Sequence, residues 1–162
     1  MDRQVAIVEP KASWPSEFEA ADSIRHGLGS LALRIDHIGS TAVPGLPAKD
    51  VIDIQVTVAA LDRDRLVPAL ASAGFVEQAI GHDHRPPRAS GPDDDWRKLF
   101  FQPRSGRPAN LPVRAAGRPN QRYPLLFRDY LRAHADSAAA YAALKRALAA
   151  EDWAAETGWQ VR

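Results

Sequence analysis

The chain has 162 residues, 45% of them apolar and 25% charged, with a formal net charge of +1. That length suits one domain, 1–162, with a real hydrophobic core, and a near-neutral balance gives no global field for nucleic acid or a membrane. The lack of cysteine excludes disulfides, thiolate zinc sites and cysteine nucleophiles, and no apolar run reaches the roughly 18 residues of a membrane span.

The N-terminus, MDRQVAIVEP, lacks the basic start and apolar core of a signal peptide, so a cytoplasmic protein is expected. Val5 to Val8 read as a short strand ending at Pro10. Ser13 is placed to cap a helix in which Phe18, Ala21, Ile24 and Leu28 share a face, closed by Gly27 and Gly29. LALRIDHI reads as a strand. A Gly/Pro loop follows, then DVIDIQVTV, where Ile52, Ile54, Val56 and Val58 alternate with Val51, Asp53, Gln55 and Thr57. One face of that strand is aliphatic and belongs in the core; the other faces something polar.

LDRDRLVPALASAGF reads as a helix with Leu61, Leu66 and Leu70 inward and an awkward Pro68. FVEQAI is a short strand, and GHDHRPPRASGPDDD is a loop too polar and proline-rich to pack. WRKLFFQ and ANLPVRAAG are two more strands, and Pro112, with no N–H, suggests that the latter is an edge strand or bulged. Two helices complete the chain, with Asn120 and Asp136 as caps and with Leu126, Tyr130, Tyr141, Leu144 and Leu148 as apolar stripes. The expected architecture is α/β (α+β): a mixed sheet with packed helices.

Phosphate binds where backbone amides are exposed and no side chain obstructs. In RIDHIGSTAV, Gly39 lets the backbone come close, while Ser40 and Thr41 offer hydroxyls. Asp53, between Ile52 and Ile54, would be costly to bury unpaired. It calls for a metal or ligand, or for a salt bridge to Lys49 or an arginine. Lys49 itself either contacts phosphate or pairs with Asp53. Ten of the 17 arginines lie between Arg85 and Arg132, against Asp93, Asp94, Asp95 and Asp129. Arginine grips phosphate bidentately, and Arg85, Arg88, Arg97, Lys98, Arg114, Arg118 and Arg122 are the anion-binding candidates, set against plain pairing with those aspartates. His37 reads as a hydrogen-bonded core residue, and His82 with His84 as an H-x-H pair lacking a third metal ligand.

A strand, a Gly-Ser turn and a strand with an outward acid resemble the polymerase-β-type nucleotidyltransferases. DHIGSTAVPGLPAKDVIDIQV, DWRKLFF, NLPVRAAGRPNQRYPLLFRDYLRAH and AAYAALKRALA resemble the GrpB family, from about Val8 to Ala150. The resemblance implies a nucleotidyltransferase-like fold, at times joined to dephospho-CoA kinase. It also implies a metal at Asp53, the superfamily's first acid, with Gln55 where a second acid is expected. The third acid is missing from the segment containing Asn110 and Arg114, and Pro112 stands where the family usually has His. The chain is short near its end, where the family carries a Tyr and a Lys by the cleft. Two-ion chemistry needs those ligands. The reading is therefore a protein that binds a nucleotide or phosphorylated small molecule with a degraded metal site, Mg²⁺ held weakly at Asp53 and Gln55. The alternatives are an active Mg²⁺-dependent nucleotidyltransferase with Asp53 catalytic, and a structural or interaction domain without a ligand.

Overall fold

The computed structural model describes residues 6–19 and 22–150. Helices α1 (Trp14–Glu19) and α2 (Asp22–Leu28) precede strand β1 (Arg34–Ile38). Strand β2 (Ile52–Val58) is followed by helix α3 (Arg63–Ser72) and strands β3 (Phe75–Gln78), β4 (Leu99–Pro103) and β5 (Ala109–Ala115). Helices α4 (Pro119–Ala133) and α5 (Ala135–Ala150) complete the described chain. The strands form one sheet in the order β1-β2-β5-β4-β3. The β2–β5 pair is parallel, and the other neighbours are antiparallel.

The alternation in β2 decides the layering. Ile52, Ile54, Val56 and Val58 join Phe101, Leu111 and Val113 against Trp14, Ile24, Leu28, Leu66 and Leu70 in the main core. Ser13 accompanies the start of α1, its hydroxyl donating to Glu17 at 2.7 Å, and Asp62 caps α3 by accepting from the Arg65 amide. Pro68 is accommodated inside α3. On the other face α4 covers Gln55 and Thr57: Gln55 Nε2 donates to the Gln121 carbonyl at 2.9 Å and Gln121 Nε2 to Thr57 Oγ1 at 3.3 Å. A smaller core of Val43, Leu46, Leu131 and Ala142 ties the loop after β1 to α4 and α5.

Several expectations need correction. Val8 makes only a bridge to Ala48; Val5, Ala21 and the tail from Glu151 lie outside the described residues. Strand β5 is central, not an edge. Its ladder with β2 skips the pairs that would join Ile54 to Leu111 and Gln55 to Pro112, so the missing proline donor falls in an interruption. Asn120 is no cap; Arg118 holds that position, with Pro119 as the first helical residue. Asp136 lies within the first turn of α5, which begins at Ala135. The stripes turn outward in part: Leu126 is 62%, Tyr130 50% and Leu144 53% exposed, while Leu131, Ala142 and Lys145 are buried; Tyr141 packs against the smaller core as expected. The proline-rich loop is largely exposed, as expected, but Asp83 within it is drawn inward, as described below.

Candidate functional site

The site is organised by the register of β1 on β2. Ile38, the last residue of β1, pairs with Asp53, so the chain must turn directly over that carboxylate. Gly39 does so with φ +72°. Any Cβ there would collide with Asp53 Oδ2 and lie 3.0 Å from its Cγ. Both the left-handed backbone and the close approach therefore demand glycine. A short turn over Ser40–Ala42 follows.

The turn is held from three sides. His37 is buried, stacked on Phe18 with ring centroids 4.9 Å apart, and its Nε2 lies 2.9 Å from Thr41 Oγ1. Burial, with the positive charges of Arg132 and Arg128, pushes the His37 imidazole down to about 4, so it is neutral at pH 7 and serves the turn's geometry. Thr41 is buried and engaged with it. Arg128 Nη1 donates to the His37 carbonyl at 2.9 Å, and Arg132 donates to the Ala42 carbonyl through Nε (2.9 Å) and Nη2 (2.7 Å).

The third side is α5. Lys145, buried, donates from Nζ to Ser40 Oγ at 2.7 Å and to the Pro47 carbonyl at 2.5 Å, and it lies 4.9 Å over the Tyr141 ring. The Tyr141 hydroxyl is also hydrogen-bonded to Ser40. Burial, with Arg146 nearby, brings the Lys145 ammonium down to about 8, which leaves it charged at neutral pH. Tyr141 and Lys145 sit one helical turn apart and project together. A Tyr and a Lys thus stand at the turn; Y-x-x-x-K in the sequence was the signal available for them.

Asp53 is partly buried, and its Oδ1 accepts from Asn110 Nδ2 at 2.9 Å. Burial raises its carboxyl to about 6, against the opposing pull of the Asn110 hydrogen bond and of the Arg114, Lys49 and Lys145 charges. Lys49 is thus part of the field on Asp53. Gln55 lies on the same face of β2, fully buried, and its Oε1 accepts from Arg114 Nη1 at 2.7 Å. Arg114 is buried and grips Asp83 with Nε and Nη2, both at 2.8 Å. Lys98 Nζ (2.7 Å) and Asn120 Nδ2 (3.0 Å) converge on the same carboxylate. Burial alone would raise Asp83; the bonds and charge of Arg114 and the charge of Lys98 take it below the ordinary value. The guanidinium of Arg114 is therefore engaged inside the protein, and Asp83, read from sequence as part of a solvated loop, is the anchor that holds it.

Arg97 and Arg118 do not reach Asp53. Both line a cleft of about 430 Å³ together with Ala59, Ala60, Ala115 and Ala116. That is the opposite end of β2, about 20 Å away at 3.3 Å per residue. There Arg97 pairs with Asp94, and Arg118 with Asp94 and Asp95, while Arg85 pairs with Asp93. The acidic triplet is thus a local counterion set. Arg122 is exposed in the first turn of α4. His82 makes an isolated antiparallel bridge with Arg97, outside the five strands.

Among the described residues no three His, Cys, Asp or Glu side chains cluster. Mg²⁺ demands near-octahedral oxygen ligation. Here Asp53 Oδ1 is engaged by Asn110, Gln55 Oε1 is engaged by a guanidinium, and the remaining near charges are cations. The donor set does not fit a two-ion centre. It is a carboxylate ringed by fixed positive charge.

Comparison with known proteins agrees with this frame. The family described as GrpB protein matches residues 4–158. A dephospho-CoA kinase of Mycolicibacterium paratuberculosis is 35% identical over 96% of this chain but only 48% of its own length; the chain spans less than half of that relative. Their alignment runs over 196 positions, more than this chain has, so the relative carries residues that are lacking here. The crystal structure of GrpB from Enterococcus faecalis superposes with a TM-score of 0.69 at 25% identity, covering 89% of this chain and 82% of that one. A structure of Cid1, described for its RNA terminal uridylyl transferase activity, shares the fold alone: TM-score 0.50, 16% identity, 80% of this chain and 38% of that one. The α+β fold is thus nucleotidyltransferase-like, and the chain belongs to the GrpB family.

Proposed function

We propose that this chain binds a nucleotide or another phosphorylated small molecule at the Gly39–Ser40 turn, without a working two-ion centre. The observation that carries the reading is the Lys145 ammonium, buried 2.7 Å from Ser40 Oγ beside Asp53. An ammonium has three donors; Ser40 and Pro47 take two, and the third meets a phosphate oxygen. Lys49 and Arg114 add positive potential on Asp53 without giving up their places. Arg114 occupies the Gln55 amide oxygen, so in this reading a fixed charge takes over the neutralising role of a metal. Mg²⁺ adds little to binding in this reading. Kinase activity belongs to a relative about twice as long and is not carried over.

Asp53 beside the Gly-Ser turn favours a second reading, nucleotidyl transfer assisted by Mg²⁺. Calorimetric titration with ATP, GTP, CTP and UTP, with and without Mg²⁺, separates the two. The proposal expects metal-independent binding, weakened at least tenfold in Lys145→Gln. Binding that requires Mg²⁺ and disappears in Asp53→Ala would establish the transferase reading instead. Failure of every nucleotide and of inorganic tripolyphosphate to bind leaves a structural domain.

A further inference from the structure

We infer that the ligand held at the Gly39–Ser40 turn carries a planar aromatic base, which stacks on Tyr123. This rests on the phosphate-site reading above and adds the class of the ligand's other end. Tyr123 lies on α4 with its ring parallel to that of Phe127, centroids 6.0 Å apart and planes 6° apart. Phe127 meets Tyr141 edge to face, at 5.2 Å and 89°, and Tyr141 is hydrogen-bonded to Ser40. Three rings thus form a file leading from the turn to the surface. Tyr123, its outer member, is 57% exposed. Its phenol is near enough to Tyr141 to add to the upward push that burial gives that hydroxyl.

One face of the Tyr123 ring is backed by Phe127, which fixes its plane; the ring's exposure leaves the other side for a ligand. A flat ring held in place loses little entropy on binding, and every nucleobase has a face that stacks. The other exposed tyrosine of α4 lacks this arrangement. Tyr130 is covered by His134, with centroids 4.0 Å apart, and its hydroxyl lies 3.2 Å from Ser137. It closes the α4–α5 corner and has no chain of rings to Ser40. Arg122, next to Tyr123 in sequence, is exposed, while Arg128 and Arg132 are engaged with the carbonyls of His37 and Ala42.

The test compares a ring-bearing and a ring-free anion on the full chain: ATP against inorganic tripolyphosphate, by calorimetry. ATP is expected to bind about tenfold more tightly, the scale of one base stacked on one aromatic ring. Tyr123→Ala should abolish that preference and leave the tripolyphosphate affinity unchanged. Tyr123→Phe and Tyr130→Ala should keep it. Equal affinity of the wild type for the two anions overturns the inference while leaving the phosphate site standing. So does a Tyr123→Ala variant, folded by its melting curve, that weakens both anions alike or keeps the ATP preference. If neither anion binds, the phosphate-site reading fails first and the inference with it.

Discussion

At Gly39 two independent constraints meet on one missing atom. The backbone is left-handed, and the space a side chain needs is filled by Asp53. Gly39→Ala is expected to cost about 1–3 kcal/mol in stability and to displace Asp53 from Asn110. Thermal melting together with nucleotide titration would show both losses; unchanged binding would show that the approach of the turn to Asp53 is dispensable. Asp53 itself opposes folding at neutral pH. Its folded carboxyl titrates near 6, above the ordinary 3.8, because burial disfavours the charged form. Between about pH 4 and pH 6 the native state holds more protons than the unfolded chain, so this group makes stability fall as pH rises through that window. Below pH 4 the penalty is absent, and above pH 6 it is complete. Asp53→Asn should therefore be more stable than the wild type at pH 7, by at most about 3 kcal/mol, with the gain gone by pH 4. Denaturant melts at the two pH values measure this directly; a gain that persists at pH 4 would point to packing instead. That the Gly39 turn and Asp53 would face one another was legible in the sequence, because a glycine turn runs into a strand with one acid among aliphatics; their contact is what the structure adds.

Among elements, the helices were harder to read than the strands. The period of two in β2 separates a wholly aliphatic face from a polar one, and the core follows that division. Helix α5 is alanine-rich, and alanine marks no face. Leucine spacing turns Leu144 inward, whereas the helix in fact buries Ala142 and Lys145. Burying a lysine makes sense only with its partners, Ser40 and the Pro47 carbonyl, which are about a hundred residues away and invisible to local periodicity. The loop before β4 is largely exposed, as its composition implies, yet Asp83 within it is drawn in by two buried cations, one from β5 and one just before β4. Removing one member of such a buried set leaves unmatched charge. Asp83→Ala is expected to destabilise by about 3–5 kcal/mol, and Asp93→Ala, whose own carboxylate is almost fully solvated, by less than about 1 kcal/mol. Equilibrium unfolding of the two variants should give clearly separated midpoints; coincident midpoints would mean that Asp83 is not the anchor.

On the scale of the whole molecule, charge is sorted rather than pooled. The arginine-rich second half suggests one basic patch, but the structure divides it. Arg97 and Arg118 are neutralised at one end of the sheet, Arg114 is enclosed in its middle, and Arg128 and Arg132 brace the turn at the other end. Sequence shows how many charges there are; only the topology, with β5 between β2 and β4, shows which share an end. The hydrogen bond between Ser40 and Lys145 has a consequence for biogenesis. It joins the first described strand–turn unit to the last described helix, so the sheet, α4 and the glycine bend can all be in place while Ser40 still lacks its ammonium partner. During synthesis from the N-terminus that contact closes only once α5 has left the ribosome and docked. Under the phosphate-site proposal, a ligand would engage chains in which α5 has docked and pass over those in which it has not.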